Sequence, residues 1–186
     1  MTTATKDLIK DVSHEIAEGL GLITRPSIGR RLIAGLAAGA VGTSALNLAT
    51  YLDMAVRARP ASETPAEVVG ELEDRAPIHF PGHGKRSEEA SNRRQAVGAL
   101  LGFVTGLGIG ALYGLIRPST RSVPVPVAGA VAGLASMAGS DVPAAALGVT
   151  DPKTWRLSGW LADLVPHLVY GMATAIAFDS LTGPYD

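Results

Sequence analysis

Four stretches of this chain run for twenty residues or more with hardly a charge, and polar sequence fills the intervals between them. The first, 32–52, follows Arg30 and Arg31 and stops at Asp53. The second, 96–116, lies between Arg93–Arg94 and Arg117 and contains no charged residue. The third, 123–149, holds Asp141, and the fourth, 157–181, holds Asp163, His167 and Asp179. An α-helix rises 1.5 Å per residue, so about 20 apolar residues cross the hydrocarbon core of a bilayer. The pattern therefore predicts an all-α fold, a polytopic membrane protein built as a four-transmembrane-helix bundle. A water-soluble bundle would need a polar outer face at a 3.6-residue period, and 96–116 offers only Thr105 and Tyr113. Pro143 and Pro166 leave open whether the third and fourth spans are continuous, broken or re-entrant.

The polar intervals predict two further features. Over residues 4–20, Leu8, Ile9, Val12, Ile16 and Leu20 share a face, and Lys6, Lys10, Glu15 and Glu18 lie largely away from it. This reads residues 1–27 as an N-terminal amphipathic segment, lying on the membrane, docking onto a partner or packing on its own bundle. Residues 28–186 then form the transmembrane domain, with an extramembrane loop over 57–94. In that loop Thr64-Pro65-Ala66-Glu67 has the form of a capping box. It predicts a short helix to about Arg75 with Val68, Val69 and Leu72 on one side. Pro77, Pro81, Gly82 and Gly84 then enforce an irregular loop.

Composition sharpens this picture. The 22 glycines fall mostly inside the apolar stretches, where a soluble helix would be weakened by them and a membrane helix uses them for close packing. The net charge of −1 speaks against nucleic acid as a partner. With no cysteine, disulfides, thiolate metal sites and thiol catalysis are excluded. Charges among the first 27 residues speak against a cleavable signal peptide. With four spans, five basic residues near span ends (Arg25, Arg30, Arg31, Arg117, Arg121) share one side of the membrane. Eight share the other (Arg57, Arg59, Lys85, Arg86, Arg93, Arg94, Lys153, Arg156), which leans towards a cytoplasmic long loop without fixing the orientation.

Two patterns stand out inside the spans. Gly98, Gly102, Gly106, Gly110 and Gly114 recur every four residues, forming a flat, slowly winding groove against which another backbone can pack. Gly35 and Gly39 repeat the spacing in the first span, Gly129 and Gly133 in the third. Such a glycine zipper serves packing within one chain or self-association, not chemistry. The second pattern emerges from depth. Counting from the long-loop side at 1.5 Å per residue, Asn47 and Asp163 lie roughly 8 Å deep, Asp141 roughly 12 Å and His167 roughly 14 Å, with Asp53 at the boundary. Asp163 and His167 are four apart and share a helix face that Tyr170, Gly171 and Thr174 continue. Thr43, Asn47 and Tyr51 make a similar line, as do Ser136 and Ser140. Pro143 frees the carbonyl of Gly139, two residues before Asp141, and Pro166 that of Ala162, beside Asp163. Asn47, Asp141, Asp163, His167 and Tyr170 thus form a candidate intramembrane proton site, the alternative being a structural Asp–His pair. His79 and His83 flank Phe80-Pro81-Gly82, which spoils a helical metal pair, so neither metal nor other cofactor is expected. No nucleophile triad, phosphate loop or nucleotide fingerprint is present, and no enzyme is expected.

Gly148-Val149-Thr150-Asp151-Pro152, then Trp155, Trp160 and Pro166-His167-Leu168-Val169-Tyr170-Gly171, resemble the end of the YagU-like family of small bacterial inner-membrane proteins of uncharacterised function. In that family a Gly-x-Thr turn leads, through a Trp-containing segment, into a helix with a His-Leu-Val step. The resemblance implies a multi-pass protein of the bacterial plasma membrane and singles out His167. Arg supplies 12 of the 16 basic residues, and Ala and Gly are the commonest residues, a bacterial composition that agrees with it. The functional expectation is a non-enzymatic accessory or self-associating bundle, a homo-oligomer or the subunit of a membrane complex. The alternative is a small proton-linked channel or transporter using the Asp/His cluster.

Overall fold

The structure, a computed structural model, describes Val12 and residues 27–76 and 87–183. The amphipathic segment expected over 4–20, apart from Val12, and the loop histidines His79 and His83 lie outside the described residues. Within them the chain forms five α-helices and no strand. These are α1 (Ile28–Arg57), α2 (Thr64–Arg75), α3 (Glu88–Ile116), α4 (Val125–Ala146) and α5 (Leu157–Thr182). Short 3-10 turns at Arg117–Thr120 and Pro152–Thr154 join α3 to α4 and α4 to α5. All but α2 are long and apolar enough to cross a membrane. The architecture is that of a multi-pass helical bundle.

Helix ends follow local chemistry that hydrophobicity alone does not mark. Ser27 accepts the Arg30 N–H at 3.3 Å and starts α1 ahead of its apolar stretch; Ala58 closes it in a left-handed conformation, φ 49°. Ser87 accepts the Ala90 N–H at 3.2 Å, and Glu88 and Glu89 follow where the helix dipole favours acids. So α3 begins at Glu88, well before residue 96, and its first two turns stand outside the apolar stretch. Gly148, at φ 79°, turns the chain after α4, which ends at Ala146 rather than 149. Both α4 and α5 run unbroken through their prolines, Pro143 and Pro166.

The short helix forms, but not as a capping box. Thr64 is already helical, Glu63 occupies the cap position without a side-chain bond, and the Thr64 N–H reaches Ser62 Oγ at 3.4 Å. Its inward face also differs from expectation: Val69 and Glu73 are buried and Leu72 points out. Glu73 is drawn in by Arg94, whose Nε donates to its carboxylate at 2.6 Å and so ties α2 to the start of α3.

Glycine decides how the spans meet. A Cβ on Gly35 would stand 3.1 Å from the Cα atoms of Ala111 and Gly114, and one on Gly39 would stand 3.0 Å from the Cα of Gly110. These are backbone contacts, so α1 and α3 touch along Gly35, Gly39, Gly110 and Gly114 with no side chain between, while Gly106 takes the Thr43 side chain. The other glycines of the α3 row part company. Gly98 lies against Pro65 of α2, and Gly102 meets nothing within 4 Å. The cause is geometric: each step of four residues advances about 40° around a helix, so the row turns through about 160° from Gly98 to Gly114. No single neighbour can follow it. On its other side α1 packs on α5, where Gly42 meets the Tyr170 ring and Thr174. Beyond α5 lies α4, held by Gly129, Gly133 and Gly171. The outer faces carry Ile33, Leu48, Val104, Leu112, Val131 and Ile176, all more than half exposed, as lipid-facing positions would be.

Two substitutions on α3 separate these environments. Gly110→Leu must push α1 away and is expected to cost about 1–3 kcal/mol, whereas Gly102→Leu should be close to neutral. Thermal unfolding in mild detergent measures both; equal losses would refute the split of the glycine row.

Candidate functional site

The α4–α5 contact sets the position of the ionisable groups. A Cβ on Gly133 would stand 2.5 Å from the His167 carbonyl oxygen and 3.1 Å from the Leu168 Cα, and one on Gly171 would stand 2.7 Å from the Gly133 Cα. The two helices run antiparallel from this crossing. Asp141, about two turns beyond Gly133, therefore comes opposite Asp163, one turn before His167.

There the carboxyl groups of Asp141 and Asp163 lie within hydrogen-bonding reach of each other. Asp163 Oδ1 stands 3.3 Å from His167 Nδ1, and the same nitrogen is 2.9 Å from the Asp163 carbonyl oxygen. Both neighbours are acceptors, so Nδ1 carries hydrogen and Nε2 is the free basic position. Ser140 Oγ donates to Asp141 Oδ1 at 3.4 Å. The other Asp163 oxygen, Oδ2, is buried with no donor among the described residues. The side chains of His167 and Asp163 are 12% and 27% exposed, so the cluster is half-withdrawn, not sealed.

One turn deeper, Tyr170 is fully buried and its hydroxyl donates to the Gly106 carbonyl at 2.6 Å, joining α5 to α3. Thr43 of α1 is buried beside it, its hydroxyl donating to the Gly39 carbonyl at 2.8 Å. Asn47 and Asp53 are not brought to the acid pair. Asn47 is half-buried and hydrogen-bonds no described residue, and Asp53 is held by Arg59 at 2.5 Å and Arg57 at 3.6 Å. Tyr51, expected in line with Thr43 and Asn47, is turned outward. No group of three His, Asp or Glu side chains among the described residues is arranged to hold a metal ion.

The chain also contains an ion pair that the sequence pattern did not assemble. Arg117, 3% exposed, grips Asp179 through Nε at 3.1 Å and through Nη2 at 2.6 Å. Its Nη1 donates to the carbonyls of Thr120 at 3.1 Å and Val123 at 2.8 Å. Arg121 completes this end by bonding the Gly183 carbonyl at 2.8 Å and Thr182 Oγ1 at 2.9 Å. An arginine ending one span and an aspartate near the end of another were the available signal, but their separation of 62 residues hid the partnership.

The turn between α4 and α5 is closed by its own side chains. Asp151 Oδ1 accepts the Lys153 N–H at 3.0 Å, Trp155 Nε1 donates to Thr150 at 2.8 Å, and the Trp155 and Trp160 rings lie 5.1 Å apart. Paired tryptophans at a span entrance suit the membrane interface. Compared with protein-family models, curated proteins and solved structures, the chain matches none.

Arg117 supplies a stability test. Removing one partner of a buried charge pair strands the other, so Arg117→Ala and Asp179→Ala should each cost about 3–5 kcal/mol, and Arg117→Met with Asp179→Leu together should cost less than either. Unfolding in detergent reads the three variants; additive losses in the pair would contradict the burial.

Proposed function

We propose that this chain is a non-enzymatic, multi-pass protein of the bacterial plasma membrane whose Asp141–Asp163–His167 cluster takes up and releases protons within the bilayer, serving a small proton-linked channel or transporter. The supporting observation is the buried Asp163 Oδ2, without a hydrogen-bond partner among the described residues, in a carboxyl group that lies within reach of that of Asp141. Two neighbouring carboxylates, one of them with an unmet acceptor, match the chemistry of a shared proton: bound, it donates from one carboxyl to the other; released, it leaves two like charges in contact. His167 stands beside the pair as an alternative proton holder, its Nδ1 directed at Asp163 and its Nε2 free.

Position adds weight. An ionisable side chain in the middle of a membrane helix costs about 2.5–3.5 kcal/mol on insertion scales, so a cluster of three is a functional hypothesis by default. Within the chain, Gly106, Gly110 and Gly114 pack against α1, while Gly102 and Gly108 meet nothing within 4 Å. The His-Leu-Val step of the resemblance falls on His167, the same residue.

Reconstitution in liposomes tests the reading. With a pH-sensitive dye inside and an imposed potential, the wild-type chain should carry proton flux, and His167→Ala or Asp163→Asn should abolish it while the bundle stays folded. A wild type without flux, with or without an added solute gradient, would end this proposal.

A further inference from the structure

The two ends of the bundle differ in charge. One end is formed by the start of α1, the turn from α3 to α4 and the end of α5. Its described residues include four arginines, Arg30, Arg31, Arg117 and Arg121, and one acid, Asp179. At the opposite end the described residues outside the acid cluster include seven basic and nine acidic groups. There the charges pair off, Asp53 with Arg57 and Arg59, Glu71 with Arg75, Glu73 with Arg94.

The four arginines are not placed alike. Arg117 is taken up by Asp179 and two carbonyls, and Arg121 bonds the Gly183 carbonyl and Thr182. Arg30 and Arg31 instead occupy the first turn of α1, which holds no acidic residue. A helix N-terminus is the positive end of its dipole, so two arginines there set like charge upon like. Arg31 Nε is buried without a hydrogen-bond partner among the described residues. The Arg31 backbone is held in place, its carbonyl lying against Gly114 of α3, one turn before Arg117. Arg30 is exposed beside it, and the one described acid at this end is already engaged by Arg117. A negatively charged acceptor is the group this corner wants.

The surroundings indicate which anion. Ile28 is 67% exposed, Ile33 69% and Ile116 59%, so the arginines border an apolar surface that continues into the span. A free inorganic anion makes no use of that surface. A phospholipid uses both parts, its phosphate on the arginines and its acyl chain on the isoleucines. Basic clusters at the ends of membrane helices attract anionic headgroups, and a guanidinium matches phosphate with paired N–H donors.

We infer that Arg30 and Arg31 bind the phosphate of an anionic phospholipid at the start of α1. Arg31 is the fixed donor and Arg30 the exposed countercharge. Ile28 and Ile33 lie along the acyl chain, and Arg121 adds to the positive field. The site is at the other end of the bundle from the acid cluster and stands independently of the proton-binding reading.

The full chain in neutral detergent is titrated with phosphatidylglycerol, with phosphatidylcholine of the same acyl chains and with inorganic phosphate. Thermal unfolding and native mass measurement read the binding. Phosphatidylglycerol should raise the unfolding temperature and remain on the chain, and the other two should do neither. Arg31→Gln should weaken its binding about fivefold or more, and Arg31→Lys, which keeps the charge but loses the guanidinium, should recover only part. Arg93→Gln, at the opposite end, should bind as the wild type does. An equal response to phosphatidylcholine would overturn the role of the arginines, and an equal response to inorganic phosphate would overturn the lipid. A loss in Arg93→Gln as large as in Arg31→Gln would overturn the site, leaving only general attraction of charge. Should Arg31→Gln fail to fold, the exposed Arg30→Gln decides: undiminished affinity for phosphatidylglycerol there refutes the site.

Discussion

Close approach of one backbone to another, permitted only by glycine, is the interaction on which this bundle depends. Lipid is as apolar as the side chains that face it, so burial from water cannot drive one span onto the next, and van der Waals contact must do so. The chain meets that condition twice. Gly35 and Gly39 of α1 lie on Gly106, Gly110 and Gly114 of α3, and Gly129 and Gly133 of α4 lie on α5 around Gly171. Between the two pairs, α1 and α5 join through larger groups, the Tyr170 ring and Thr174 against Gly42. The core has few large apolar side chains, because its centre is filled by backbone.

The glycine contacts also explain why the ionisable residues sit where they do. A crossing at Gly133 and the His167 carbonyl leaves no room for the helices to slide without collision. Asp141 and Asp163 are therefore brought together by the same contact that holds α4 on α5. Packing and chemistry are on adjacent turns of the same two helices. Continuous helices through Pro143 and Pro166 preserve this register. A broken helix could have re-aimed either aspartate.

Much of this was readable from the residues in order. The four apolar stretches gave the spans because lipid imposes one length and one composition, and depth counting placed Asp141, Asp163 and His167 in the same half of the membrane. Depth alone is not contact. Asn47 and Asp53 lie at suitable heights but on α1, where Asp53 has nearer arginines in Arg57 and Arg59. The helix starts at Glu88 and at Thr64 are not marked by the apolar pattern, because polar first turns and caps do not register in hydrophobicity. The glycine row looked like one surface since spacing by four hides its rotation, and only the neighbours α1 and α2 reveal which part each takes. The Arg117–Asp179 pair depended on knowing which helix ends meet, a matter of topology rather than of pattern.

That pair also supplies the comparison by which the acid cluster is judged. Arg117 is almost wholly buried, yet its guanidinium is spent on two carboxylate oxygens and two carbonyls. This is how the fold treats a charge kept for structure: paired with its opposite and supplied with partners. Asp141 and Asp163 receive the contrary treatment. Each has the other as an acidic neighbour, the basic group in contact with Asp163 is a histidine, and one buried Asp163 oxygen has no hydrogen-bond partner among the described residues. A bundle able to satisfy Arg117 at one end had the means to satisfy an aspartate at the other. That unmet oxygen is what separates the acid pair from the Arg117–Asp179 end, and it is the observation on which the proposed proton-binding reading rests.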